Sequence, residues 1–192
     1  MKVVDGNEVI LQKETRVMSD RKEHWEKVYA TKELNEVSWY QPVPETSLSF
    51  LKEAKLEKNA RIVDIGGGDS FLVDHLLNEG FTDVTVVDIS ENALERAKKR
   101  LGEKAVSVKW IAADASALKL EEPVDFWHDR AAFHFLTEKK DIENYLEGLN
   151  HLIKKGGTAV IGTFSENGPT KCSGIEIQQY TEQSMTELFD KS

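Results

Sequence analysis

Arg61-Ile62-Val63-Asp64-Ile65-Gly66-Gly67-Gly68-Asp69-Ser70 decides the fold. An apolar strand runs into an acid and three glycines, and a helical pattern opens at Ser70 and continues to about Glu79. Glycines at a strand-to-helix turn let backbone approach a ligand closely and take φ values that other residues resist. The helix that follows aims unpaired N–H groups at whatever lies there. The stretch therefore reads as a cradle for a nucleotide-type cofactor on an α/β sheet.

Two details narrow the ligand. A dinucleotide fingerprint, G-x-G-x-x-G, needs a third glycine where this chain has Phe71. Asp64, two residues before Gly66, would repel a pyrophosphate but suits a cationic ligand carrying an ammonium group. S-adenosylmethionine has that group and a sulfonium besides.

The rest of the chain repeats the alternation. Strands are expected over 83–88, 107–112, 124–128 and 158–164, and helices over 45–56, 70–79, 90–101 and 137–155, with a last helix from Thr181. The helix after the second strand is capped by Ser90 and stopped by Gly102, and Glu95 and Lys99 are spaced for an i,i+4 ion pair. The 137–155 helix carries an Ile142, Tyr145, Leu146, Leu149, Leu152, Ile153 stripe. Such alternation specifies a doubly wound, mostly parallel, Rossmann-like sheet. Residues 1–19 form an N-terminal extension without clear helical period, with a short strand conceivable at Val9-Ile10-Leu11, and residues 20–192 form one domain. From Asp20 the pattern turns helical, with Trp25, Val28 and Tyr29 on one face.

Composition bounds the partners. With 34 acids against 25 Lys and Arg, the formal net charge is −9 over 192 residues, which argues against nucleic acid or an anionic membrane. A single cysteine, Cys172, permits no internal disulfide and fits a reducing, cytoplasmic setting. No apolar run is long enough to span a bilayer, and no metal-ligand spacing occurs.

In a doubly wound sheet, ligands bind beyond the carboxyl ends of the strands, and that is where the informative residues fall. Asp88 can accept both hydroxyls of a ribose. Asp114, between Ala113 and Ala115, can accept an adenine amino group while its small neighbours leave room for the ring. His128-Asp129-Arg130 stands where the reacting end of the ligand would lie. Asp129 and His134 are the candidates for a catalytic base, and Arg130 for a partner of the cofactor carboxylate. Trp25, Tyr29, Trp39 and Tyr40 can exclude water and stabilise a sulfonium.

Residues 20–164 resemble the seven-stranded, Rossmann-like S-adenosylmethionine methyltransferases, through V-D-I-G-G-G, V-T-V-V-D-I-S, A-A-D-A and K-K-G-G-T-A-V-I. H-W-E-K-V-Y followed by S-W-Y looks like the entry segment of the methyltransferase-like group that includes lysine methyltransferases of elongation factor 1A and citrate synthase. The resemblance implies helices over the cofactor site, with Trp25, Tyr29 and Trp39 closing on the methionine end. It also implies a site lined by Gly66, Asp88, Ile89, Asp114, Ala115 and a residue near Asp129 or Arg130, to which the reading of the glycine turn adds Asp64, Gly67 and Gly68. S-adenosylhomocysteine would be the product and a protein lysine or a small molecule the methyl acceptor. The family's C-terminal antiparallel strand pair is missing from the sequence pattern, which leaves the fifth strand as an edge open to a homo-oligomer. An NAD-dependent oxidoreductase and a catalytically silent cofactor- or partner-binding protein are the alternatives.

Overall fold

The computed structural model describes residues 6–130 and 132–190. Helix α1 (Gly6–Thr31) and α2 (Glu45–Glu53) precede β1 (Arg61–Ile65), α3 (Leu72–Asn78), β2 (Asp83–Asp88), α4 (Glu91–Leu101) and β3 (Val108–Ala112). Then come β4 (Val124–Arg130), α5 (Lys139–Leu152), β5 (Ile153–Gly162), a ribbon of β6 (Lys171–Cys172) and β7 (Ile175–Glu176), and α6 (Glu182–Asp190). The five long strands lie in the order β3-β2-β1-β4-β5, every neighbour parallel. Strand order reverses between β1 and β4, so a crevice opens above those two strands.

Successive side chains of a strand face opposite sides, and the core divides accordingly. Ile62, Val84, Val86 and Phe126 pack with Leu51 of α2, Leu72, Val73 and Leu76 of α3, and Leu94 of α4. Val63, Ile65, Val87 and Trp127 pack on the other face with Tyr145, Leu146, Leu149 and Leu152 of α5. Met185, Leu188 and Phe189 of α6 join that second layer. With both faces covered, the strands can be apolar without alternation, as parallel strands commonly are. A third cluster of Trp25, Val28, Tyr29 and Ala93 seats α1 on α4.

Several local expectations hold. Ser90 Oγ accepts from Ala93 N at 3.2 Å, and Gly102 takes φ 58° at the end of α4. Others are corrected. The segment holding Val9–Leu11 is helix, because α1 begins at Gly6. Ser70 does not open α3: its Oγ accepts from Leu72 N at 3.2 Å while its N–H donates to Gly67 O at 2.8 Å, so it extends the turn. Helix α5 ends at Leu152, not at the glycine pair, because Ile153 pairs with Val124 in the sheet. Glu95 meets Lys98 at 2.7 Å, one residue short of Lys99. An antiparallel pair does exist, as the separate β6–β7 ribbon rather than as an extension of the main sheet. Among the described residues β5 remains the sheet's edge.

A buried polar chain crosses the second layer. Trp127 Nε1 donates to Tyr145 Oη at 2.9 Å, and that hydroxyl donates to Asp129 Oδ2 at 2.8 Å. Tyr145→Phe leaves the indole N–H without an acceptor and removes a donor from a buried carboxylate. The expected loss is about 1–3 kcal/mol of unfolding free energy, read from urea denaturation. A midpoint equal to the wild type's would show that the chain is not holding this layer together.

Candidate active site

The turn after β1 is built so that backbone, not side chain, faces the crevice. Gly66 has φ +63°, and a Cβ there would stand 2.5 Å from the Cβ of Ala132. At Gly68 a Cβ would come within 2.9 Å of both Asp88 Oδ2 and the Tyr29 hydroxyl. Gly67 N donates to Val87 O at 3.1 Å, which ties the turn to β2.

Above this turn lies a cleft of about 930 Å³, open solvent at its mouth included. Its walls bring together Trp25, Tyr29, Trp39, Gly66, Asp88, Ile89, Asp114, Ala115 and Arg130 from the expected set. The aromatic wall is continuous: Trp25 makes edge contacts with Trp39 at 5.7 Å and with Phe135 at 4.9 Å between ring centroids. Helix α1 holds this wall through Glu26, which accepts from Ser90 Oγ and from the N–H groups of Glu91 and Asn92 at the start of α4. Arg96 adds bonds to the carbonyls of Tyr29 and Lys32.

Asp64, Gly67, Gly68, Asp129 and His134 are not among the lining residues. Asp64 is buried beneath the turn, its Oδ1 at 2.7 Å from His128 Nδ1, and His128 Nε2 reaches Ser47 Oγ at 2.9 Å. Its carboxylate therefore supports the turn and Gly67 instead of facing an ammonium group. Asp129 accepts from Ala132 N at 2.9 Å, Phe133 N at 3.1 Å and the Tyr145 hydroxyl, so its oxygens point into the protein. His134 sits in a single turn, Phe133–Phe135. It is fully buried, between the rings of Phe135 and Phe164, and burial pushes its pKa down to about 4. Neither residue reaches the cleft as a base. Arg130 donates to Gln41 Oε1 and to the Trp39 carbonyl, which fixes the loop carrying Trp39. Tyr40 packs on Phe71 outside the cleft lining.

Residues not foreseen complete the walls: Arg21, Ser38, Phe135, Leu136, Phe164 and Cys172 among them. Cys172 is half-buried in β6, and burial raises its thiol pKa, so the thiol stays protonated near neutrality. The docking of α1 and of the C-terminal ribbon, which brings these residues to the cleft, has no local signature in the sequence.

Residues 62–157 match the family model described as a methyltransferase domain. The chain belongs to that family. An 81-residue segment is 35% identical to a malonyl-[acyl-carrier protein] O-methyltransferase of Anoxybacillus flavithermus, covering 41% of this chain and 30% of that protein. The chain thus spans under a third of the length of that curated relative. A structure bearing on the conversion of a disulfide bond into a thioacetal group during echinomycin biosynthesis superposes with TM-score 0.70 at 19% identity. It covers 88% of this chain and 78% of its own. A methyltransferase from Thiobacillus denitrificans in complex with S-adenosyl-L-homocysteine is 26% identical with TM-score 0.53, covering 68% and 53%. S-adenosylmethionine, expected from the glycine turn and the strand-end acids, agrees with these relatives, and the nicotinamide reading does not. The resemblance to the lysine-methylating group finds no counterpart among them.

Asp88 is the acid most altered by its setting. Burial raises its pKa to about 7, opposed by the Ser90 N–H at 2.8 Å and helped by Asp69, Asp64 and Glu26. Between the ordinary carboxylate value near 4 and about 7, the unfolded chain has lost this proton while the folded chain keeps it. Stability without ligand therefore falls as pH rises across that window and levels off above it. Asp129, raised to about 6 by burial, adds to the fall with the same sign. Asp88→Asn should remove its share, on the order of a few kcal/mol. Unfolding free energies measured from about pH 5 to 8 that stay parallel for the two proteins would contradict this assignment.

Proposed function

We propose that this chain transfers a methyl group from S-adenosylmethionine to a small-molecule nucleophile held at the Trp39–Phe135–Phe164 end of the cleft. The observation that carries the reading is the convergence on one crevice of a Cβ-free turn, two buried strand-end acids and a wall of aromatic rings. When bound, the cofactor supplies a methyl already activated by a sulfonium, displaced in line as the new bond to the acceptor forms and the carbon–sulfur bond breaks. The residues fit such a group. Asp88 is placed at the end of β2 for ribose hydroxyls, and the Gly66 backbone leaves room that any Cβ would close. Trp25, Tyr29 and Trp39 offer π faces and exclude water; a cation over such a ring gains roughly 0.5–2 kcal/mol.

The acceptor end is supported as apolar and base-free. Trp39, Phe135, Leu136, Phe164 and Cys172 line it, and the acids that line the cleft, Asp88 and Asp114, stand at the ends of β2 and β3. Arg130, also in the cleft lining, donates to the Trp39 carbonyl. Among the described residues no carboxylate lines that end to hold and orient a lysine side chain, which favours a neutral or anionic acceptor. The similarity to a malonyl-[acyl-carrier protein] O-methyltransferase is consistent with that preference. Positioning acceptor and methyl together, with water kept out, can by itself contribute roughly 7–11 kcal/mol.

Calorimetric titration with S-adenosylmethionine, S-adenosylhomocysteine and NADH is the direct test. Binding of the two adenosyl ligands is expected, with NADH inert and Asp88→Ala weakened about tenfold or more, as suits hydrogen bonds to a charged acceptor. Affinity for S-adenosylhomocysteine should rise with pH up to about 7, since hydroxyl donors favour the ionised carboxylate. A radiolabelled-methyl assay on separated lysate fractions should then place label in small molecules. Label confined to protein lysines would return the acceptor to the lysine class, and tight NADH binding would overturn the reading.

A further inference from the structure

Asp114, expected to accept an adenine amino group, has all its acceptor capacity in use. It caps the short turn Ala115–Ala117, where Oδ1 accepts from Ser116 N at 2.9 Å and from Ser116 Oγ at 2.7 Å. Its Oδ2 accepts from Arg21 Nε at 3.2 Å and Arg21 Nη2 at 2.8 Å. A carboxylate offers about four lone-pair sites, and these four donors fill them. The remaining arm of the guanidinium, Nη1, donates to Asp141 Oδ2 at 2.7 Å.

The three side chains are nearly shut off from solvent: Arg21 and Asp141 are each 10% exposed and Asp114 is 4%. They also come from three elements. Arg21 stands on α1, Asp114 follows β3, and Asp141 lies in the first turn of α5. One planar fork, the geometry in which arginine exceeds lysine, thus ties α1 both to the turn after β3 and to the start of α5. Without it, two buried acids would be left without their shared cation, a costly arrangement. Arg21 itself lines the cleft.

We propose that Arg21 is a specificity-determining latch. By saturating Asp114 it makes the closed cleft accept a purine without reading the 6-amino group, and that group is read only where the guanidinium leaves Oδ2. What the base meets instead is the flat, delocalised guanidinium, which can stack on a purine face whatever its 6-substituent. This inference rests on the adenosyl-ligand reading given above.

The test compares S-adenosylhomocysteine with its analogue carrying hydrogen at purine C6, titrated calorimetrically into the wild-type chain and into Arg21→Gln. Wild-type affinities should agree within about threefold. The folded Arg21→Gln protein, checked by circular dichroism, should prefer the amino-bearing ligand by roughly tenfold or more, the gain of a hydrogen bond to a free charged acceptor. Asp141→Asn, which keeps the Arg21–Asp114 pair, should match the wild type. A preference of about tenfold already present in the wild type overturns the latch whether or not the variant folds. A folded Arg21→Gln that discriminates no better than the wild type, or an Asp141→Asn that gains the same preference, also overturns it. Failure of both ligands to bind the wild type would overturn the cofactor reading, and the latch with it.

Discussion

Four aspartates end four adjacent strands, and all four are buried: Asp64, Asp88, Asp114 and Asp129 expose at most 6% of their surface. Removing carboxylates from water costs several kcal/mol each unless they are paired or hydrogen-bonded. The architecture around the crevice is largely the set of groups that meet this demand. Ser47, at the start of α2, reaches Asp64 through His128. The start of α4 supplies Ser90 N to Asp88, α5 supplies Tyr145 to Asp129, and α1 supplies Arg21 to Asp114. Each helix that covers the site is thus tied to one acid at the carboxyl edge of the sheet.

The same accounting separates roles among acids that look alike. Asp129 has both oxygens engaged by the turn that follows it and by Tyr145, so it shapes Ala132 and Phe133 and has nothing left for a ligand. Asp64 is instead turned beneath the glycine turn, its Oδ1 paired with His128 Nδ1. Asp88 differs in lining the cleft, where Oδ1 accepts from Ser90 N and Oδ2 lies beside the Gly68 backbone. An acid left under-satisfied in a buried cleft holds its proton tightly, and it is also the one with most to gain from incoming hydroxyl donors. Cost in the free protein and benefit on binding are thus two faces of one arrangement.

What the sequence disclosed follows from range. The glycine turn, the Ser90 cap and the Gly102 stop are local chemistry, and each is found where the residues predict it. The order of strands and helices follows from alternation of apolar runs. Boundaries decided by distant partners were not legible: the 3.6-residue stripe continues to Ile153, yet the pairing of Val124 with Ile153 converts that residue to strand. Asp129 illustrates the same limit, since a strand-end acid beside an arginine reads as a ligand group until Tyr145, sixteen residues away, is seen to take it. Arg21 carried no signal at all, because its meaning depends on the docking of α1 against β3 and α5.

The acceptor end shows what this fold needs from its residues and what it does not. Its lining comes from positions as separated as Ser38, Phe135, Phe164 and Cys172, brought together by two loops and a ribbon around a rigid sheet. Specificity in such folds lies in parts that vary independently of the core. The titratable groups here are unsuited to removing a proton: the Cys172 thiol has a raised pKa, and His134 is neutral but closed off behind Phe135 and Phe164. On the proposed methyl-transfer reading, selectivity falls to shape and to the acceptor's own nucleophilicity, which favours groups already deprotonated or carrying a free lone pair near neutral pH.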